Sequence, residues 1–277
     1  MLLSFEIFLI SIIAGCIGSL LGLGGGMILT PALTILFGVD IKYAIGASLI
    51  SVIATSTGSA IAFIKDKIAN IRIGMFLEVA TTIGAIIGAL LTGFLPSNIL
   101  YIIFSILLIY SILNMIKNKN SNNDGNIKPN KVSDKYSLKG EFYDKSINKT
   151  IKYSATNVYS GFSIMFGAGI ASGLLGIGSG SFKVIAMDTV MKIPLKVSSA
   201  TSNFMMGVTA AASASIYFFR GDINPVIAGP VAIGVILGSL IGAKLMQKLK
   251  NKTLRLIFIP VLTYLSIEMI LKGLGVL

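Results

Sequence analysis

The chain has 277 residues, 54% of them hydrophobic and only 12% charged, with a mean hydropathy of +0.87 and a formal net charge of +12. A soluble domain carries about 25% charged residues, so this composition excludes an ordinary water-soluble globule and makes a bilayer the natural solvent. One cysteine and no histidine exclude a disulfide framework, a Cys/His metal centre and any catalytic triad built on histidine.

In chain order, the first apolar stretch runs from Phe5 to Phe37 and is interrupted by GLGGG at Gly22 to Gly26. No Lys or Arg precedes it and it outruns a signal-peptide core, so it is expected to belong to the mature fold. Runs of spanning length follow at Tyr43–Ile64, Ile73–Leu95 and Asn98–Ile116, each close to the roughly 20 residues that cross about 30 Å of hydrocarbon. A polar tract, Lys117 to Lys152, comes next, with nine Lys against Asp124, Asp134, Glu141 and Asp144. The second apolar series is Ala155–Val190, broken by GIGSG at Gly176 to Gly180, then Ser198–Phe219, Pro225–Ala243 and Thr253–Leu271.

The two series are copies of each other. GSLLGLGGG at Gly18 to Gly26 reappears as SGLLGIGSG at Ser172 to Gly180, and the same offset of 154 residues places Lys42 on Lys196, Ser48 on Ser202 and Asn70 on Asn224 without a gap. The expected organisation is a membrane repeat over 1–116, a polar cytoplasmic linker over 117–154 and a second repeat over 155–277. The expected fold class is an all-α integral membrane protein. Each repeat is a glycine-broken hairpin helix plus three transmembrane helices.

Charge decides how the repeats are oriented. If each interrupted stretch turns back at its glycines, Lys65, Lys67, Arg72, the linker lysines and the basic residues from Lys192 to Arg255 other than Arg220 share one side, with only Lys42, Arg220 and Lys272 opposite. A single crossing at those stretches gives a far weaker bias. The positive-inside rule therefore favours inverted repeats with the linker inside and both termini outside. The basic linker is read as this topology marker, with attraction to membrane lipids second, and no nucleic-acid partner is expected.

A chain that reverses inside a bilayer leaves backbone groups without lipid partners, so they must face protein or a wet cavity. Glycine allows positive φ and close approach, and a helix starting at such a break turns its positive end toward an anion. Gly22, Gly24, Gly25, Gly26, Gly176, Gly178, Ser179 and Gly180 are therefore candidate substrate-binding residues, with the two breaks expected to meet near the midplane. Gly84, Gly88, Gly238 and Gly242 fit close helix packing instead. No Gly-Lys-Ser/Thr follows either motif, so a P-loop is not indicated.

Lys183 lies just beyond Gly180, where the first repeat has Leu29. A charge inside the membrane needs a functional or paired partner, which makes Lys183 a candidate anion-binding residue, with pairing to Asp188 or Glu78 as the rival. Ser48, Thr201, Ser202 and Asn203 are further candidate donors, and helix capping by Ser198 or Ser199 is expected to account for one hydroxyl of that run. Glu78 and Asp188 are candidates for proton coupling. Cys16 reads as a small packing residue.

GLGGG with Pro31 beyond it, its echo at Gly176 to Gly180, and the segment Phe182 to Ala211 resemble the TauE/SafE family of sulfite and organosulfonate exporters. The resemblance covers both halves and omits the linker, and the second repeat departs from it with Ser179 and with Ile185 in place of proline. It implies a transporter of a small inorganic or organic sulfur anion such as sulfite, a sulfonate or thiosulfate. Together with the residues, it gives the expectation of a multi-pass secondary transporter in the cell (inner or plasma) membrane. Alternating access around the two breaks would move the anion; no enzyme activity, cofactor or metal is expected. A different small anion such as a carboxylate, or a non-transporting scaffold or receptor, are the alternatives, and a homo-oligomer is compatible with the sequence.

Overall fold

A computed structural model describes residues 2–21, 24–117, 136–144, 148–248 and 251–275. The first repeat comprises α1 (Leu2–Leu21), α2 (Gly26–Leu36), α3 (Ile41–Lys65), α4 (Ile71–Thr92) and α5 (Ser97–Lys117). The second comprises α6 (Val158–Leu175), the short α7 (Gly180–Ile185) continued by a π-helical turn Ala186–Val190, then α8 (Leu195–Arg220), α9 (Pro225–Lys248) and α10 (Asn251–Gly273). Among the described residues, four helices are long and apolar enough to cross a bilayer: Ile41–Lys65, Ile71–Thr92, Val158–Leu175 and Pro225–Leu245.

Both interrupted stretches are hairpins. In the second, the Asn157 side chain donates to the Val190 carbonyl at 3.1 Å and the Thr156 amide to Met191 at 2.9 Å, so the chain returns to where α6 began. In the first, α1 starts beside the start of α9, with Gly234 against Phe8 and Ser11. Its partner α2 ends beside the end of α10, where Lys272 donates to the Thr34 carbonyl. Those two places lie at one end of the bundle, because Gly46 near the start of α3 abuts Asp222, which precedes α9.

The repeats are interlocked. The small residues of α4, Gly84 and Gly88, lie against the backbone of α6 around Phe166 and Ile170, while Gly169 and Gly173 press on Thr81 and Ala85 in return. On the other side Gly234, Gly238 and Gly242 of α9 meet Phe8, Ile12 and Cys16 of α1. Each repeat thus lays its first helix on the fourth helix of the other, and without a Cβ the backbones approach closely enough for dispersion to act where lipid gives no hydrophobic drive. In the centre α3 and its repeat mate α8 run in opposite directions, with Gly46 near Asp222 at one end and Asn70, just past α3, bonded to Thr201 at the other.

The purely helical expectation needs one correction. Within the polar linker, β1 (Lys139–Asp144) and β2 (Lys149–Ser154) pair antiparallel from Lys139↔Ser154 to Asp144↔Lys149. Charge content hid this hairpin, but Phe142 and Tyr153 are buried and hold it down. Lys196 Nζ meets Asp144 Oδ1 at 2.7 Å with both side chains buried, and Asn70 donates to the Tyr153 hydroxyl at 3.0 Å. Burial pushes the Tyr153 phenol up, with the bond from Asn70 working against it. The hairpin therefore straps the start of α4 to the start of α8.

Candidate functional site

The two breaks have the same backbone shape. Gly24 and its mate Gly178 have φ of 78° and 68°, and Gly25 and its mate Ser179 have φ of 69° and 51°. Left-handed φ is natural for glycine and costly for most other residues. Ser179 holds it with a bond from its hydroxyl to the Gly178 carbonyl at 2.8 Å, so the departure in sequence does not change the geometry. Gly22 lies outside the described residues.

The breaks meet, as the repeat predicts. A Cβ placed on Gly26 would lie 2.6 Å from the Gly176 carbonyl oxygen, so backbone faces backbone across the repeat boundary. Gly24 and Gly178 each face both Val52 and Met206, which are themselves repeat mates near the middles of α3 and α8. Hydroxyls brace the breaks symmetrically: Ser48 donates to the Gly26 carbonyl at 3.0 Å, and Ser202 to the Gly180 carbonyl at 3.3 Å. Thr55 adds a bond to the Gly24 carbonyl at 3.2 Å.

Several sequence candidates take different work. The helix α8 starts at Leu195 behind Pro194, so neither Ser198 nor Ser199 is its cap, and Ser198 instead donates to the Ile193 carbonyl at 3.3 Å. Thr201 accepts from the Asn70 amide at the strapped end, away from the breaks. Asn203 donates to the carbonyls of Ser19 and Ser199, joining α1 to α8. Around the first break Ser19 Oγ, Ser51 Oγ and Asn203 Oδ1 are buried without a partner among the described residues. Such atoms are normally satisfied by water or ligand.

The charge lies one turn past the second break. Lys183 is fully buried, and its Nζ donates to Thr209 Oγ1 at 2.6 Å and to Glu78 Oε2 at 3.3 Å. Thr209 in turn donates a hydrogen bond to Glu78 Oε1, and Thr81 and Thr82 donate to the same carboxylate at 3.0 and 3.2 Å. Of the two acids weighed against Lys183, Glu78 is the one across from it; Asp188 lies buried on the π turn. Thr209 escaped the sequence reading, although its repeat mate Thr55 is also a hydroxyl aimed at a break. The corresponding residues of the other half, Leu29 and Ala232, carry no charge.

The family description "Sulfite exporter TauE/SafE" matches residues 7–269, from within α1 to within α10, and takes in both glycine breaks. The chain belongs to the TauE/SafE family. It is 31% identical over 280 residues to the "Probable membrane transporter protein YunE" of Bacillus subtilis, covering 98% of this chain and 99% of that one. It is 28% identical to the "Probable membrane transporter protein MJ0441" of Methanocaldococcus jannaschii, over 96% and 94% of the two chains. A second Bacillus subtilis relative, "Probable membrane transporter protein YdhB", is 26% identical over 92% and 94%. No solved structure matches the chain. As a TauE/SafE protein with four apolar helices of spanning length among its described residues, it is a multi-pass membrane protein.

Proposed function

We propose that this TauE/SafE protein is a secondary transporter of a small sulfur-containing anion, of the sulfite, sulfonate or thiosulfate type, in the cell membrane. The observation that carries the reading is the meeting of two glycine-broken hairpins, one from each repeat, between Val52 and Met206. A break at the repeat interface joins left-handed backbone to unpartnered polar atoms, and repeat-built transporters bind their cargo at such places. Lys183 is the buried cation one turn away, able to attract an anion once freed from Glu78. The opposed directions of α3 and α8 support inverted repeats, so rocking of one repeat against the other would expose the centre to each side in turn.

The test is flux. Full-length protein in liposomes should move at least one of sulfite, thiosulfate, methanesulfonate, sulfate or acetate faster than protein-free vesicles, with a sulfur anion the fastest. Transport of none of them would end the reading, and preference for acetate would replace its substrate class.

Inverted repeats also fix sidedness. On a Cys16→Ser background, cysteines at Asn98 and Leu274 should react in intact cells with an impermeant thiol reagent, while those at Lys65 and Thr150 should react only after lysis. Labelling of Lys65→Cys and Leu274→Cys from the same side would mean that the repeats are parallel.

A further inference from the structure

The Glu78 carboxylate accepts from Lys183, Thr209, Thr81 and Thr82 inside the helical bundle, 6% exposed, and among the described residues Lys183 is the single cation facing it. The groups around it are few. From α8 comes Thr209, from α7 Lys183, and from its own helix Thr81 and Thr82. The stretch of α6 that packs here presents Phe166, Gly169, Ile170 and Gly173, none of which titrates. The cluster is therefore neutral as it stands, one positive charge against one negative.

An anion that takes Lys183 upsets this balance. If Lys183 turns from Glu78 to the anion, the bundle interior holds two negative charges against one positive, and the abandoned carboxylate pays the full cost of burial without a counter-charge. One proton from the solvent that delivers the anion, added to a Glu78 carboxylate oxygen, restores neutrality. The protonated carboxyl also keeps its bonds to the three threonines. We infer that anion binding and protonation of Glu78 are linked one to one, with Lys183 exchanging its carboxylate partner for the anion. The inference rests on the transport reading above and adds the coupling ion to it. The uncharged mates Leu29 and Ala232 confine the exchange to one half of the repeat pair, so one proton accompanies each anion and release of the anion resets the pair.

Two probes of fixed charge, methanesulfonate and thiosulfate, allow the proton to be counted. Titration calorimetry of the detergent-purified full chain in two buffers of different ionisation enthalpy should give one proton taken up per anion bound. With one proton taken up per anion, affinity should fall about tenfold for each unit rise in pH. The double variant Lys183→Arg/Glu78→Gln, whose guanidinium stays charged without a carboxylate beside it, should bind with no proton uptake and no dependence on pH. Wild-type binding without proton uptake overturns the inference while leaving transport standing, and this measurement needs no variant to fold. Unaltered proton uptake in that double variant overturns it too, by moving the acceptor elsewhere. Binding of neither probe at any pH overturns the inference, and the transport reading falls with it only if the liposome panel also shows no flux.

Discussion

Gly26→Ala is expected to cut transport at least tenfold in protein that still reaches the membrane. The added methyl would lie 2.6 Å from the Gly176 carbonyl oxygen and 2.9 Å from Val52 Cγ2. The first neighbour is backbone and has no rotamer to change, so the two breaks must separate. Gly178→Val is expected to be worse. It forces a β-branched residue into φ near 68°, at about 1–3 kcal/mol for the backbone alone, and drives a Cβ to 2.7 Å from Val52 Cγ1. Gly167→Ala and Gly229→Ala, where a Cβ meets nothing within 4 Å, serve as controls and should transport normally. Flux per folded protein, with monodispersity checked by size exclusion, is the measurement. Normal flux through Gly26→Ala would mean that the meeting of the breaks is packing alone.

Lys183→Met should lower stability by about 3–5 kcal/mol, the usual cost of stranding one partner of a buried pair. Adding Glu78→Gln should recover most of it, because the two residues touch and their effects are not additive. Anion binding should behave differently. The double variant should remain about 10- to 100-fold weaker than wild type for methanesulfonate or thiosulfate, as expected when a charge-assisted contact of about 1.5–3 kcal/mol is lost. Melting temperature and affinity measured on both variants separate the roles. Recovered stability with wild-type affinity would make Lys183 a structural residue only.

Much of the fold was legible because the repeat is gapless and its signals are local. Apolar length marked the helices, clustered glycines marked the breaks, and the lysine distribution favoured a turn back in each interrupted stretch over a single crossing. The meeting of the breaks followed from the duplication itself. What stayed hidden depended on contacts between distant segments. Nothing in the sequence distinguishes Glu78 from Asp188 as the partner of Lys183, since the choice is made by the way α4 and α7 lie together across the repeat boundary. Ser48 and Ser202 were legible as hydroxyls near the site, but whether such a group faces a ligand or a carbonyl is set by its rotamer, and both hold carbonyls. The β-hairpin was masked by its many charges, although Phe142 and Tyr153 carry its buried face.

The interlocking of the repeats also sets a timetable. The face of α6 that packs on α4 finds its partner already made, so that interface can close as soon as Gly173 has been synthesised. The first helix has no such partner waiting. Its seat is α9, and the contacts from Phe8 and Ile12 through Cys16 are complete only when Gly242 emerges, near the end of the chain. For almost the whole of synthesis α1 must keep its small-residue face, with Gly15 at its centre, toward lipid or the insertion machinery. Contacts of such long sequence separation form late and slowly. Until α9 arrives the nascent protein is therefore exposed to misassembly at α1, which is made long ahead of the partner it settles against.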